Sequence, residues 1–252
     1  MSRDWDAATY DRVSEPQVAM AREVLGRLDP RRDETVLDAG CGSGRVTRML
    51  LDLLPEGRVI AVDVAPSMVE QARAALPEDR VEVLPPTDLT DLELTEPVDA
   101  VFSNAVFHWI EDHEALFARL HAALRPGGRL VAQCGGAGNV DEFHRAATEV
   151  GSTSPFAEHL NGWTGPWRFE APEPTEGRLR RAGFEEARCW LSPHPVVPPE
   201  PLEYLRTVCL GYHLEALPEE LRDDFVATVA ESCGEPLELD YVRLNIDARR
   251  PA

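Results

Sequence analysis

Between positions 38 and 44 the chain reads Asp-Ala-Gly-Cys-Gly-Ser-Gly, an acid followed by glycines at every second position. Glycine lets a backbone adopt dihedrals barred to other residues and approach a ligand closely. The acid, Asp38, is awkward beside a pyrophosphate and comfortable beside a group carrying an ammonium or sulfonium charge. The spacing also departs from the dinucleotide fingerprint GxGxxG, whose third small residue lets helix and strand pack; counted from Gly40, that position is Arg45. Asp63 lies nineteen residues after Gly44 at the end of the next apolar run, with two carboxylate oxygens for the paired hydroxyls of a ribose. Val64, Met68 and Leu89 supply apolar faces for a ring, and Asp88 with Leu89 a carboxylate and a backbone N–H for its edge; a solvated loop acid is the alternative for Asp88.

These residues need strand ends to hold them, and the pattern provides them. Short apolar runs alternate with helical stretches, the mark of βα units feeding a parallel sheet. The runs are Thr35 to Ala39, Arg58 to Asp63, Val81 to Leu84, Val98 to Ser103 and Arg129 to Cys134. Pro66, then Ser67 with Glu70, reads as a capping box opening a helix that turns Met68, Val69, Ala72 and Leu76 inward. Leu116, Phe117, Leu120 and Leu124 mark one face of another helix, and Arg125 to Gly128 carries the Pro-Gly centre of a type II turn. Gly135 to Gly138 reads as flexible, and the aromatic, turn-rich stretch after it as a lid over the carboxyl edge of the sheet. A helix from Thr175 to Gly183, a sixth strand from Phe184 to His194, a proline-rich linker, helices from Leu202 to Leu214 and Pro218 to Ser232, and a seventh strand within Leu239 to Arg250 complete the chain.

The expected fold class is therefore α/β: a Rossmann-like, seven-stranded, mostly parallel sheet flanked by helices, with a helical cap from the N-terminal segment and insertions. A single domain is expected, with core segments at about 30–138, 172–198 and 236–252 and cap segments at about 1–29, 139–171 and 199–235.

Composition narrows the partners. The formal net charge of −20 opposes binding to a phosphate backbone, because nucleic-acid affinity comes from cations that displace counterions. No apolar run approaches the ~20 residues of a membrane helix, and the N-terminus lacks a secretory signal, so a cytoplasmic protein is expected. The 25 basic residues are all arginine; without lysine neither a P-loop nor a pyridoxal Schiff base can be built. Five scattered cysteines show no metal-ligand spacing and fit reduced thiols, so no metal is expected.

Taken together, Val36 to Gly44, Val59 to Ala72, Asp88-Leu89, Ser103 to Trp109 and Leu124 to Leu130 resemble the class I S-adenosylmethionine-dependent methyltransferases. The block Ser103 to Ile110 and the opening Trp5 to Arg12 are similar to the trans-aconitate methyltransferase group and its small-acid relatives. The resemblance implies S-adenosylmethionine as cofactor. It implies that Asp38, Gly40, Gly42 and Gly44 meet the methionine moiety, Asp63 the ribose, and Asp88 and Leu89 the adenine. Asn104 and Ala105 would lie by the methionine and sulfonium, with Cys41, Thr87 and Trp109 also on the cofactor and Tyr10 and Gln17 closing over it.

Such an enzyme places a nucleophile in line with an activated methyl group and excludes water. A carboxylate acceptor needs no base, whereas a phenol or alcohol does. His108 is the catalytic candidate, either as that base or as an orienting side chain. Trp163 and Trp167 are either lid aromatics over the substrate or loop anchors. An acid substrate requires a cation, for which Arg168, Arg206 and Arg243 are the candidates. The remaining histidines, His144 among them, read as surface or structural. Where nucleic-acid amino methyltransferases carry [DN]PP[YF], this chain has Ser103 to Val106. A small-molecule acceptor, methylated on oxygen, is expected, with a monomer or homodimer open. A catalytically silent cofactor-binding protein and an NAD-dependent oxidoreductase are the alternatives.

Overall fold

The computed structural model describes residues 15–252. It opens with α1 (Glu15–Leu28) and then alternates: β1 (Thr35–Ala39), α2 (Arg45–Asp52), β2 (Arg58–Val62), α3 (Pro66–Ala75), β3 (Val81–Val83), β4 (Val98–Asn104), α4 (His113–Ala123), β5 (Leu124–Gly135). After α5 (Asp141–Gly151) and the single turn α6 (Ala157–Leu160) come α7 (Pro172–Arg181) and β6 (Glu185–Pro193). The short α8 (Pro201–Tyr204), α9 (Gly211–Ala216), the longer α10 (Glu219–Cys233) and β7 (Val242–Arg249) finish the chain.

The strands form one seven-stranded sheet in the order β3-β2-β1-β4-β5-β7-β6. Strands β1 to β5 pair in parallel, and β7 runs antiparallel to both neighbours. Strand order reverses direction between β1 and β4, the switch point where α/β sheets open a crevice beyond their carboxyl ends. Alternation along each strand sends side chains to opposite faces. Leu37, Val62, Val101 and Leu130 pack under α4 and α7, while Val36, Val59, Phe102 and Val131 pack against α1, α2 and α3.

A third apolar cluster lies apart from the sheet, built from Val140, Phe143, Phe156, Tyr204, Leu210, Phe225 and Tyr241. Helix α1 serves both bodies. Ala21, Val24, Leu25 and Leu28 lie on the sheet, whereas Met20 belongs to the cap cluster.

Four local expectations are corrected. The N-cap of α3 is Ala65 and carries no side-chain cap bond. Pro66 occupies the first helical position, where its missing N–H costs nothing, so Ser67 falls inside the helix and the Ser67–Glu70 box does not form. Arg125 to Gly128 is absorbed into β5, with Gly127 at φ 77 and a register shift between Val98 and Ala100 on β4. Gly135 and Gly136 are not flexible: a Cβ on either would run into Phe169 at 2.7 Å or Leu191 at 2.5 Å. The stretch from Leu202 to Leu214 is broken by a π-helical turn at Leu205–Cys209, where the Leu210 N–H reaches back to the Leu205 carbonyl at 2.7 Å.

Candidate active site

The glycine loop leaves β1 and is stitched across the end of β2, with the N–H groups of Gly40 and Cys41 both donating to the Val62 carbonyl at 2.8 and 2.9 Å. Gly40 sits at φ 90, and a Cβ there would lie 2.2 Å from Val106. Gly42 lines the cavity with open space where its Cβ would be, and donates its N–H to Asp63 Oδ2 at 2.9 Å. Gly44 does not line the cavity. Its positive φ starts α2, and a Cβ would press on Leu76 at 2.9 Å, so it serves packing between α2 and α3.

Asp63 accepts from the Gly42 and Ala65 N–H groups, one on each oxygen. Each oxygen retains a lone pair for a hydroxyl. Burial pushes its carboxyl upward against those backbone donors. Asp38 is buried, and accepts from the Thr47 hydroxyl at 2.7 Å. Burial pushes its carboxyl up to about 7, the Thr47 bond opposing and the charge of Asp63 adding. Asn104 ends β4 with Nδ2 donating to the Gln17 carbonyl at 3.2 Å and a buried Oδ1 that has no partner among the described residues. Ala105 follows at φ 62. Val64, Met68, Thr87 and Leu89 line the same wall. Asp88 lines it too, although one of its oxygens caps a short turn through Thr90.

A cavity of about 860 Å³ continues from this wall toward the cap. His108 and Trp109 line the passage. The His108 ring is packed between Trp109 and Phe169 at centroid distances of 4.8 and 5.9 Å. Its Nδ1 accepts from the Gly135 N–H at 3.2 Å, so in the neutral ring Nε2 carries the proton. Burial, then the Arg243 guanidinium, then His113 hold the imidazole well below its ordinary value. Gly135 pairs with Arg243 across β5 and β7, which sets that buried arginine beside His108.

Trp167 and Arg168 line the cavity; the Arg168 N–H donates to the His108 carbonyl at 2.9 Å, tying the lid segment to the passage. The Arg168 guanidinium bonds Glu170 at 2.6 Å. Trp163 does not line the cavity but packs behind it against His213 and Trp167. Arg206 pairs with Asp223 away from the cavity. Tyr10 lies outside the described residues. Gln17 lines the cavity, and its Nε2 donates to the Tyr204 hydroxyl at 2.7 Å, which in turn meets the Tyr241 hydroxyl at 2.9 Å.

A family profile described as a methyltransferase domain matches residues 37–130. A trans-aconitate 2-methyltransferase from an Azoarcus species is 33% identical over 230 residues, covering 88% of this chain and 87% of that protein. The chain belongs to the class I S-adenosylmethionine-dependent methyltransferases, in the trans-aconitate methyltransferase-like group. A Methylobacterium nodulans protein of the same name is 33% identical over 190 residues, covering 75% of this chain and 67% of that one. Among solved structures, a Haemonchus contortus phosphoethanolamine N-methyltransferase 2 bound to S-adenosylhomocysteine superposes with a TM-score of 0.65 at 19% identity, covering 98% of this chain and 57% of that chain. The Bacillus subtilis YcgJ protein superposes at 0.64 with 15% identity, covering 93% and 99%. These two likenesses carry the fold alone.

The methyltransferase uses S-adenosylmethionine, and the residues present fit it. The unpartnered Asn104 Oδ1 and the buried Asp38 suit a cationic amino-acid tail, Asp63 has acceptors left for two ribose hydroxyls, and Val64, Met68 and Leu89 make an apolar slot. This membership sets aside the NAD-dependent alternative.

Several lining residues escaped sequence reasoning. Phe143, His144, Phe169 and Tyr212 line the methyltransferase cavity. His144, expected at the surface or in a structural role, packs at a tilt against Trp167 with ring centroids 4.6 Å apart. Nothing in their local spacing marks them, because α5 and α9 are brought to the sheet only by the cap cluster. Arg243, by contrast, was legible as one of three candidate cations.

Proposed function

We propose that the enzyme methylates a carboxylate oxygen of a small-molecule acid. The observation that carries this reading is the polarity of the cavity: Asp38 and Asp63 at one end, buried Arg243 beside His108 at the other. S-adenosylmethionine, when bound, would supply a methyl group made electrophilic by its sulfonium, for transfer to the acceptor oxygen. Asn104, Asp38 and Asp63 orient the donor; Arg243 holds the acid with a fork that matches a carboxylate. A carboxylate is ionised at neutral pH, so no base is required. That suits a histidine held neutral with Nδ1 occupied, whose Nε2–H serves as a donor to the acceptor oxygen rather than as a proton acceptor. Trp167 and Phe169 exclude water from the passage. The core segments carry the donor and contribute Arg243 to the acceptor, and the cap segments build the rest of the acceptor end, within a single domain. The relatives' named substrate, trans-aconitate, is an acid, which supports the reading.

The test is an assay with labelled methyl donor followed by mild alkali. A carboxyl ester releases its label as methanol. An alkali-stable product would move the methyl to nitrogen, carbon or an ether oxygen and overturn the assignment.

A further inference from the structure

We propose that His144 determines acceptor specificity by exchanging a hydrogen bond with a hydroxyl group on the acid, so that a hydroxy acid is preferred to the same acid bearing hydrogen or a second carboxylate there; this rests on the carboxylate reading above. Three observations carry it.

The first is the setting of the ring. His144 lies in the first turn of α5, lines the cavity and is half-buried. Phe143, Trp167 and Phe169 surround it at centroid distances of 5.3, 4.6 and 5.7 Å. Among the described residues no hydrogen bond engages either of its nitrogens. In this it differs from its neighbours: His108 accepts from the Gly135 N–H, and His113 donates to the Phe107 carbonyl. His108 and His144 pack on the same ring, Phe169, so both imidazoles border one stretch of cavity. An apolar side chain would fill a niche between three rings at no polar cost. Imidazole nitrogens that lose water to an incoming ligand need that ligand to replace the bond.

The second is charge. Burial lowers the His144 imidazole from its ordinary value, against Asp141 on its own helix and Asp240 ahead of β7, which pull it upward. Near neutrality the ring is therefore uncharged and offers one N–H and one lone pair. A hydroxyl, being both donor and acceptor, can meet either nitrogen. A carboxylate could use the N–H alone, and would be brought toward the two acids whose charges already act on this ring.

The third is how α5 is aimed. Val140, immediately before the helix, sits at φ 50 and ψ 40, a left-handed conformation in which a β-branched residue is an outlier. Its N–H donates to the Asp240 carbonyl at 3.1 Å, and its carbonyl accepts from the His144 N–H at 2.9 Å. Such strain persists only where the surroundings over-determine it, and it clusters at ligand sites. Here it sets the first turn of α5, and His144 with it, against the cavity.

The test measures kcat/KM with labelled S-adenosylmethionine on sets of acids that differ only by hydrogen, hydroxyl or carboxylate at one carbon. The sets are phenylacetate, mandelate and phenylmalonate; cinnamate, coumarate and carboxycinnamate; and succinate, malate and ethanetricarboxylate. In the set turned over fastest, the hydroxy acid should exceed both others by at least about tenfold, chiefly through KM. His144→Phe and His144→Leu should each shrink that preference to within about twofold, while His144→Gln, which keeps a donor and an acceptor, should retain at least about threefold. Unaltered S-adenosylhomocysteine binding by calorimetry would show that the variants are folded. If the wild-type enzyme shows no preference for the hydroxy acid in that set, or the preference survives in the Phe and Leu variants, the proposal falls and the carboxylate reading stands. If no acid is esterified, or the label sits alkali-stable on the hydroxyl, the carboxylate reading falls and takes the proposal with it.

Discussion

The two ends of the cavity are built by different means. The end proposed for the donor is made at strand termini, from Asp38 near the end of β1, Asp63 after β2 and Asn104 at the end of β4, with backbone N–H groups fixing the Asp63 carboxylate and the Thr47 hydroxyl holding that of Asp38. The acceptor end is made from side chains on β7, on α5, on the lid segment and on α9, which meet only through the cap cluster. A site carried by backbone conformation survives changes of neighbouring side chains. One carried by side chains of unrelated elements can be retuned by exchanging a ring or an arginine, so acceptor choice is free to drift while donor chemistry stays fixed.

Substitutions that separate donor affinity from acceptor turnover test that division. The largest effect is expected for Asp63→Ala. Losing two charge-assisted bonds to hydroxyls, each worth about 1.5–3 kcal/mol, should weaken S-adenosylmethionine binding by at least about 100-fold in calorimetry; near-native affinity would place the ribose elsewhere. Arg243→Met should lower kcat/KM for an acid acceptor by about 30- to 100-fold while donor affinity stays within about twofold. Equal losses in both would erase the distinction between the two ends.

A pH series gives an intermediate effect. Asp38 has its carboxyl raised to about 7 from an ordinary 3.8, so near neutrality a cationic tail favours its ionised form. Donor affinity should therefore rise through pH 7 with release of a proton, and fall by about tenfold for each unit below it. Asp38→Asn should flatten that dependence. For folding the sign is opposite to that of a paired carboxylate: the native state holds the proton longer, so Asp38 lowers stability as pH rises from about 4 to about 7. The smallest effect on binding is expected at Gly44, where alanine should cost about 1–3 kcal/mol of stability through its positive φ and leave donor affinity unchanged. A large loss of affinity there would return Gly44 to the ligand.

The same division explains what the sequence revealed. Strand cores from Thr35 to Cys134 and the acids at their ends were legible because burial on both faces leaves apolar runs and the site lies where those runs stop. Gly40 was legible as a bare turn, but the Val106 side chain that makes it obligatory is 66 positions away in the chain. His144 and Tyr212 were illegible because their helices carry ordinary patterns and only tertiary packing turns them to the cavity. The reading of Gly135 and Gly136 failed for a related reason: glycine marks close packing as well as flexibility, and composition does not tell the two apart.

Asn104 donates to the Gln17 backbone, Gln17 to Tyr204, and Tyr204 shares a hydroxyl bond with Tyr241, two positions before Arg243. These buried contacts join the carboxamide that would meet the donor to the strand that carries Arg243, the cation proposed for the acceptor. Donor and acceptor are thereby set in one linkage relation: whatever factor the first contributes to the affinity of the second through this path, the second must return to the first.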